Sequence, residues 1–382
     1  MKAIISEYHT WDTDFRIGNH HYARAFIDAG WDVLWVSHPV SPFHVFKSEN
    51  SERMKLARSG PTVHANGPIE LVPYTLLPFI DKPMLRSKAV IENSGKFFTP
   101  PLKRTLEESG FDEPDLLWIT DTVMHTLIDS CRAKFIAVRI ADDNVEFKGS
   151  PNALKWAENR LCERADAIFA TSHPLEKKLK KIYGEKTHLL RNGVEFDRFQ
   201  GEFPRPKEFE NINGPIAIYV GAIEEWFEPD WVVSLAENHP ELTICLIGRI
   251  GITEPRFQNK RNILALGSRP YETIPGYLVH SDVGIIPFRR TRLVESISPL
   301  KLYEFFASGL PVVSTSWNEL EDLSSPAMLV HDYDEFSESV LKAVNESMKK
   351  NMQSEYREFA QANSWDSRFR DILEILKVDS DH

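Results

Sequence analysis

From residue 298 to 311 the chain reads Ser298-Pro299-Leu300-Lys301-Leu302-Tyr303-Glu304-Phe305-Phe306-Ala307-Ser308-Gly309-Leu310-Pro311. This is a short helix with its punctuation intact: Ser298 as N-cap, Pro299 in the first position, Gly309 just past the end and Pro311 beyond it. Lys301 falls in the first turn, where the positive end of the helix dipole disfavours a cation, so an anion belongs there. Glu304 follows three residues on, and Lys before Glu is the weaker order for an intrahelical ion pair. A solvated Lys–Glu pair accounts for the two residues as readily as a site does. Read as a site, the helix start and the ammonium hold a diphosphate while Glu304 accepts hydrogen bonds from a vicinal diol, as on ribose.

A second set of groups clusters after apolar runs in the first half: Glu7, Tyr8, His9, Asp12, Arg16, Asn19, His20 and His21; then Asp121; then Asp142, Asp143 and Asn144. In open parallel sheets, ligand groups come from loops at the carboxyl ends of strands. An ionised Asp at such an end can take a proton from a bound hydroxyl, a part open to Asp142, with Asp143 as its rival. On the residues alone, adjacent acids after a strand are read first as a turn or a cap for the segment starting at Asn144. His20 and His21 open a helix, where they either satisfy backbone groups or bind an acceptor or phosphate. The spacing Asp142-Asp143 is not the D-x-D that holds a divalent ion, so no metal is expected and activity should survive excess EDTA.

The elements that must position these groups are short apolar strands alternating with helical periods, the pattern of α/β layers. The first-half strands are Ala3–Ile5, Val33–Val36, Ile69–Val72, Leu116–Ile119, Phe135–Val138 and Ala167–Ala170; His20–Ala29, stopped by Gly30, is a crossover helix. The rhythm restarts with Ile216–Val220, Leu242–Ile247, Ile263–Leu266, Val283–Ile286 and Pro311–Ser314. Residues 200–215, with three prolines and two glycines and no apolar period, read as a linker. The expected organisation is therefore two doubly wound parallel-sheet domains, 1–199 and 216–354, facing a cleft. A C-terminal helical segment, 355–382, has apolar residues that need a surface to pack back on.

The 382 residues suit two domains, and 45 basic against 56 acidic residues give a net charge of −11, a field that repels nucleic acid. Three distant cysteines, Cys131, Cys162 and Cys245, lack zinc or redox spacing and read as buried thiols. The polar start and the absence of a long apolar run point to a cytoplasmic protein. Residues 47–104 depart from the acidic whole, with ten basic side chains against five acidic ones. Interleaved with the apolar stretch Tyr74–Ile80, they form either an ordinary surface or a face for an anionic membrane carrying a lipid-linked acceptor.

The S-P-L-K-x-x-E-F-x-A-S-G-x-P run resembles the nucleotide-sugar motif of GT-B glycosyltransferases, as do Asn192-Gly193-Val194-Glu195 with Phe199, Tyr219-Val220-Gly221-Ala222 and Ser364-Trp365-Asp366. Retaining members carry a second Glu eight positions before the one matching Glu304; here that position is Ser296, with Glu295 one place out of register. The chain is more similar to the inverting glucuronosyltransferases of xanthan-type exopolysaccharide assembly, through Asp14-Phe15-Arg16, Asn19-His20-His21-Tyr22 and Arg139-Ile140-Ala141-Asp142. That resemblance implies a GT-B fold and transfer of a sugar from a nucleotide sugar, UDP before GDP, to a saccharide or lipid-linked acceptor in envelope or exopolysaccharide synthesis. It gives Asp142 the part of general base, Lys301 and the helix start from Ser298 the leaving diphosphate, and Glu304 the ribose. Gly221 and Gly267 would let backbone approach the donor, Phe288, Arg269 and Leu300 would line the nucleotide pocket, and Arg249 is a further diphosphate candidate. Arg16, Asn19, His21, Asp121 and Asp143 are candidates on the acceptor side. A nucleotide-sugar epimerase or a non-catalytic partner subunit of the same architecture remain alternatives. A nicotinamide dehydrogenase is disfavoured, since neither half opens with G-x-G-x-x-G.

Overall fold

The computed structural model describes residues 1–13, 16–44, 51–77, 87–141, 152–251, 257, 260–344 and 346–377. The chain forms two units: Met1–Leu190 with Phe369–His382, and Arg191–Arg368.

In the first unit the strands are Lys2–Glu7 (β1), Asp32–Ser37 (β2), Thr62–Val63 (β3), Ile69–Leu71 (β4), Leu116–Ile119 (β5), Phe135–Ile140 (β6), Ala167–Ala170 (β7) and Thr187–Leu189 (β8). They lie in the order β3-β4-β2-β1-β5-β6-β7-β8, and only β3 runs antiparallel to its neighbour. The apolar runs are continuous because both faces of a parallel sheet are covered: Ala3, Ile4, Ile5, Leu34, Trp35, Leu117 and Trp118 are all fully buried. The crossover helix spans Gly18–Asp28 and is followed by Gly30 at φ +79°, a left-handed stop that suits glycine.

The second unit contains Ile216–Val220 (β9), Thr243–Ile247 (β10), Ile263–Gly267 (β11), Val283–Ile286 (β12), Val312–Thr315 (β13) and Met328–Val330 (β14), parallel throughout in the order β11-β10-β9-β12-β13-β14. The order runs outward from β9 on one side and from β12 on the other, so the winding reverses between those two strands. That reversal is where an open α/β sheet leaves room for a ligand. The helix Leu300–Ala307 packs directly on β12: a Cβ on Gly284 would lie 2.4 Å from the Phe305 ring, so the missing side chain is what admits it.

Both units are the doubly wound parallel layers expected, but the boundaries differ. The division falls at Leu190/Arg191 instead of 199/200, and residues 200–215 lie inside the second unit. Apolar anchors hidden among the prolines explain this. Phe199 and Phe209 are fully buried, and Arg205 donates to the carbonyls of Phe209 (3.2 Å) and Ile212 (3.2 Å), which folds the segment down. The C-terminal helix Trp365–Leu376 crosses the division, and Phe369 packs edge-on against Phe26 at 4.8 Å. Among the described residues no helix is long and apolar enough to cross a membrane.

Candidate functional site

In the second unit, the loops after β9 and β10 press together. Gly221 (φ +142°) and Gly248 (φ +143°) both adopt backbone that favours glycine, and a Cβ on Gly248 would lie 1.9 Å from the Gly221 carbonyl oxygen. Lys301 lies against this floor, since a Cβ on Gly221 would come within 2.9 Å of its Cε. Its ammonium stands 5.2 Å from the Tyr219 ring centre and 4.6 Å from that of Phe288. Tyr219 belongs to β9 and Phe288 follows β12, so the cation sits at the reversal of the winding.

Phe288 is held flat against Trp317 (5.7 Å, 19°), and the Trp317 indole donates to the Ile297 carbonyl at 3.0 Å. Among the described residues, Lys301 forms no ion pair with Glu304 or any other carboxylate, which removes the solvated-pair reading. Loss of water pulls its pKa down to about 8, a fall that Glu304 partly opposes. A desolvated cation over an aromatic face gains about 2 kcal/mol, less than an anionic partner would supply. The described residues therefore supply no counter-charge to the site.

The helix begins one residue later than the sequence suggests. Pro299, extended at φ −80° and ψ 113°, is the N-cap and makes no side-chain cap, while the carbonyl of the buried Ser298 accepts from Asn192 Nδ2 at 2.8 Å. Leu300 becomes the first helical residue and Lys301 the second, with Gly309 (φ +75°) beyond the end as expected. Glu304 accepts from the Tyr271 hydroxyl at 3.1 Å. Burial raises its pKa, opposed by that hydrogen bond and by Lys301.

The other donor-side candidates divide. Gly267 (φ +69°) closes β11, and its carbonyl accepts from Gly248 N at 3.0 Å. Arg269 is spent on structure, bridging Glu208 (3.0 Å) and the Tyr277 hydroxyl (3.3 Å). Arg249 is exposed and paired with Glu224 at 2.6 Å. These two arginines are thus already engaged, whereas Gly221, Phe288, Lys301 and Glu304 form one constellation.

In the first unit, the winding reverses between β1 and β5, and the polar network there is buried. Glu7 accepts from Tyr8 N (2.6 Å) and Asn19 Nδ2 (2.6 Å); Asn19 also donates to Thr120 (2.7 Å) and accepts from the Trp118 indole (3.1 Å). Burial pushes Glu7 up to about 7. Asp121 caps Val123 N (3.1 Å) and accepts from His38 Nδ1 at 2.7 Å. The exposed Tyr8 ring lies over His38 at 4.7 Å, with the Arg53 guanidinium 5.7 Å away.

Arg16 is tied to the Trp11 carbonyl at 2.6 Å, and His21 is partly buried on the helix Gly18–Asp28. His20 is buried and neutral, accepting from Ile17 N (3.3 Å) and donating to the Thr10 carbonyl (3.2 Å), which settles its role as structural. Asp142, Asp143, Asp14 and Phe15 lie outside the described residues. Among the described residues, no cluster of three or more His, Cys, Asp or Glu side chains is arranged to hold a metal ion. Tyr271 and His38 were not evident from the sequence, because neither stands at a fixed spacing from the motif it serves.

Residues 4–171 match the family model of the N-terminal domain of the glucuronosyltransferase GumK, and residues 214–346 match that of glycosyl transferases group 1. Together the two matches span both units, and the chain resembles the GT-B glycosyltransferases related to GumK. This GT-B chain is 27% identical over 240 residues to TuaH of Bacillus subtilis, proposed as a teichuronic acid biosynthesis glycosyltransferase; the match covers 59% of the chain and 60% of TuaH. A second B. subtilis protein with the same proposed role, TuaC, is 25% identical over 183 residues, 46% of the chain and 44% of TuaC. The matched stretches thus span less than two thirds of either relative. Its fold is shared with sucrose-phosphate synthase from Thermosynechococcus elongatus (TM-score 0.71, 15% identity, 98% of each chain). It is shared too with Anabaena HepE, solved with UDP and glucose (TM-score 0.68, 16% identity, 99% of each chain).

Proposed function

We propose that the protein transfers a sugar from a UDP-sugar to a saccharide or lipid-linked saccharide in cell-envelope polysaccharide synthesis. One observation carries the donor half of this reading: an ammonium with no anionic partner among the described residues, held over two aromatic rings at the amino end of Leu300–Ala307, where the sheet winding reverses. The departing diphosphate supplies the missing charge, and its stabilisation there lowers the barrier to bond breaking. Glu304 receives the ribose hydroxyls. The UDP bound to HepE and the proposed role of TuaH in teichuronic acid synthesis support the choice of nucleotide and process.

On the acceptor side the reading adopts inversion, with Asp142 deprotonating the attacking hydroxyl as its sequence context implies. The hydroxyl proton passes to the carboxylate, the oxygen attacks the anomeric carbon, and the bond to the diphosphate breaks on the opposite face. No metal is assigned a part, and a peripheral contact of residues 47–104 with an anionic membrane face belongs to the same reading.

A thermal-shift series with UDP, GDP and ADP tests the donor assignment, because a ligand that binds only the folded state raises its stability. UDP should give the largest shift and Lys301→Met should abolish it; an unchanged UDP shift in that variant would overturn the assignment. Retained transfer in excess EDTA and loss in Asp142→Asn test the chemistry. Sedimentation with anionic vesicles tests the membrane contact.

A further inference from the structure

Lys301 and Glu304 are three residues apart on one helix, close enough to neutralise each other. They do not. The Tyr271 hydroxyl holds Glu304 Oε1 at 3.1 Å while the Lys301 ammonium lies over Tyr219 and Phe288. Tyr271 opens a short 3-10 turn, Tyr271–Thr273, and is itself braced from the other side. The Arg198 guanidinium stands 4.8 Å from its ring centre, and Arg198 pairs with Glu195 at 2.5 Å. The buried Phe199 packs edge-on against the same ring at 6.4 Å.

We propose that Tyr271 is the positioning residue of nucleotide recognition: it keeps the Glu304 carboxylate away from Lys301 and presents its free oxygen to the ribose. The inference rests on the donor reading above and deepens it. The chemistry favours the arrangement. Burial and the neighbouring carboxylates Glu304 and Glu195 raise the phenol far above its ordinary range, so Tyr271 is a permanent donor. Its hydrogen bond and the Lys301 and Arg198 charges favour the ionised form of Glu304, against burial and Glu195, which favour the neutral one. One carboxylate oxygen is thereby fixed, and among the described residues the other has no donor. Without the phenol, a simple χ rotation lets Glu304 swing towards Lys301 and cancel the two charges that the ligand requires.

The test is calorimetric titration of wild type, Tyr271→Phe, Glu304→Gln and the double variant with UDP and with 2′-deoxy-UDP. Wild type should prefer UDP by about tenfold, the order expected of one hydrogen bond to a charged group. Tyr271→Phe, which keeps the ring for Arg198, should lose most of that preference while its binding of 2′-deoxy-UDP changes less than threefold. The double variant should match Glu304→Gln alone, since the tyrosine acts through the carboxylate. An undiminished preference in Tyr271→Phe, tighter UDP binding by it, or additive losses in the double variant would overturn the inference and leave the donor reading standing. Failure of wild type to bind UDP at all would overturn both. Thermal melting of each variant identifies a folding defect; should Tyr271→Phe unfold, Glu304→Gln alone must still lose the preference for UDP, and its retention would overturn the inference.

Discussion

If Lys301 owes its lowered pKa to burial at an anion site, UDP affinity must fall with rising pH well before an ordinary lysine would titrate. Its pKa of about 8 means it carries its proton in roughly nine molecules of ten at pH 7 but only about one in ten at pH 9. If only the protonated form holds the diphosphate, the dissociation constant rises about tenfold over those two units; a surface lysine near pKa 10.4 would change it by a few per cent. The phosphate itself contributes little, because its second ionisation lies near pH 6. Calorimetry at pH 7, 8 and 9 in buffers of different ionisation enthalpy reads both the affinity and the proton taken up on binding. About half a proton should enter at pH 8. Lys301→Met should bind at least tenfold more weakly at pH 7 and show a flat profile, and any titration of the uracil ring appears in both proteins and cancels. Flat wild-type affinity from pH 7 to 9, with binding intact, would refute the claim that this ammonium receives the diphosphate.

Further outcomes follow from the glycines and the buried titrating groups. Gly221→Ala should weaken UDP binding at least tenfold, because its Cβ enters within 2.9 Å of Lys301 Cε, and should lower the melting temperature as well, because φ +142° strains a residue with a Cβ. Gly248→Ala should melt markedly lower, by about 3 kcal/mol or more in denaturant titration, because its Cβ meets the Gly221 carbonyl at 1.9 Å. Acid should destabilise the first unit. Burial lowers His20 and His125 to about 4, so the unfolded chain takes up their protons from pH 6.5 downward while the fold refuses them until about pH 4. At 1.36 kcal/mol per pKa unit, each histidine costs about 3 kcal/mol across that window. Glu7 acts in the opposite sense: raised to about 7, it binds its proton in the fold first and returns about 3 kcal/mol between pH 7 and 4.5. A net loss of about 3 kcal/mol between pH 7 and 4 should appear in urea titrations, and constant stability across that range would contradict the assignment.

Sequence legibility differed between elements for definable reasons. Strands buried on both faces announce themselves: Leu116–Ile119, Ala167–Ala170, Ile216–Val220 and Val283–Ile286 are found with the bounds that their apolar runs give. Thr62–Val63, Thr187–Leu189 and Met328–Val330 were not legible, since they are edge strands of only two or three residues, too short to show a period. The stretch 200–215 was misread because prolines dominate its composition, whereas its fate is decided by the single buried ring of Phe209 and the carbonyl bonds of Arg205. At the site, Lys301 and Glu304 were legible because helix punctuation fixes their places relative to the dipole. Arg249 and Arg269 share the right charge and the right strand ends, yet Glu224 and Glu208 consume them, and such pairings across 25 and 61 residues leave no mark in the sequence.

Sheet topology explains why the two polar centres have opposite character. Each lies where the strand order reverses, so each has loops diverging on both sides and room for a ligand. In the second unit the reversal is lined by Tyr219 and Phe288 and crossed by a helix start, which desolvates one cation and leaves it unbalanced. In the first, the reversal is lined by Glu7, Asn19 and Thr120, whose mutual hydrogen bonds satisfy the buried acid, and by Asp121, which accepts from Val123 N and His38. An unbalanced cation is what a leaving anion needs, and a self-satisfied network of carboxylate and amide is what orients hydroxyl groups without competing for charge. On the proposed reading, the division of labour between donor and acceptor follows from which side chains the same topological position presents, and exchanging the charge at either centre should disable that half of the reaction alone.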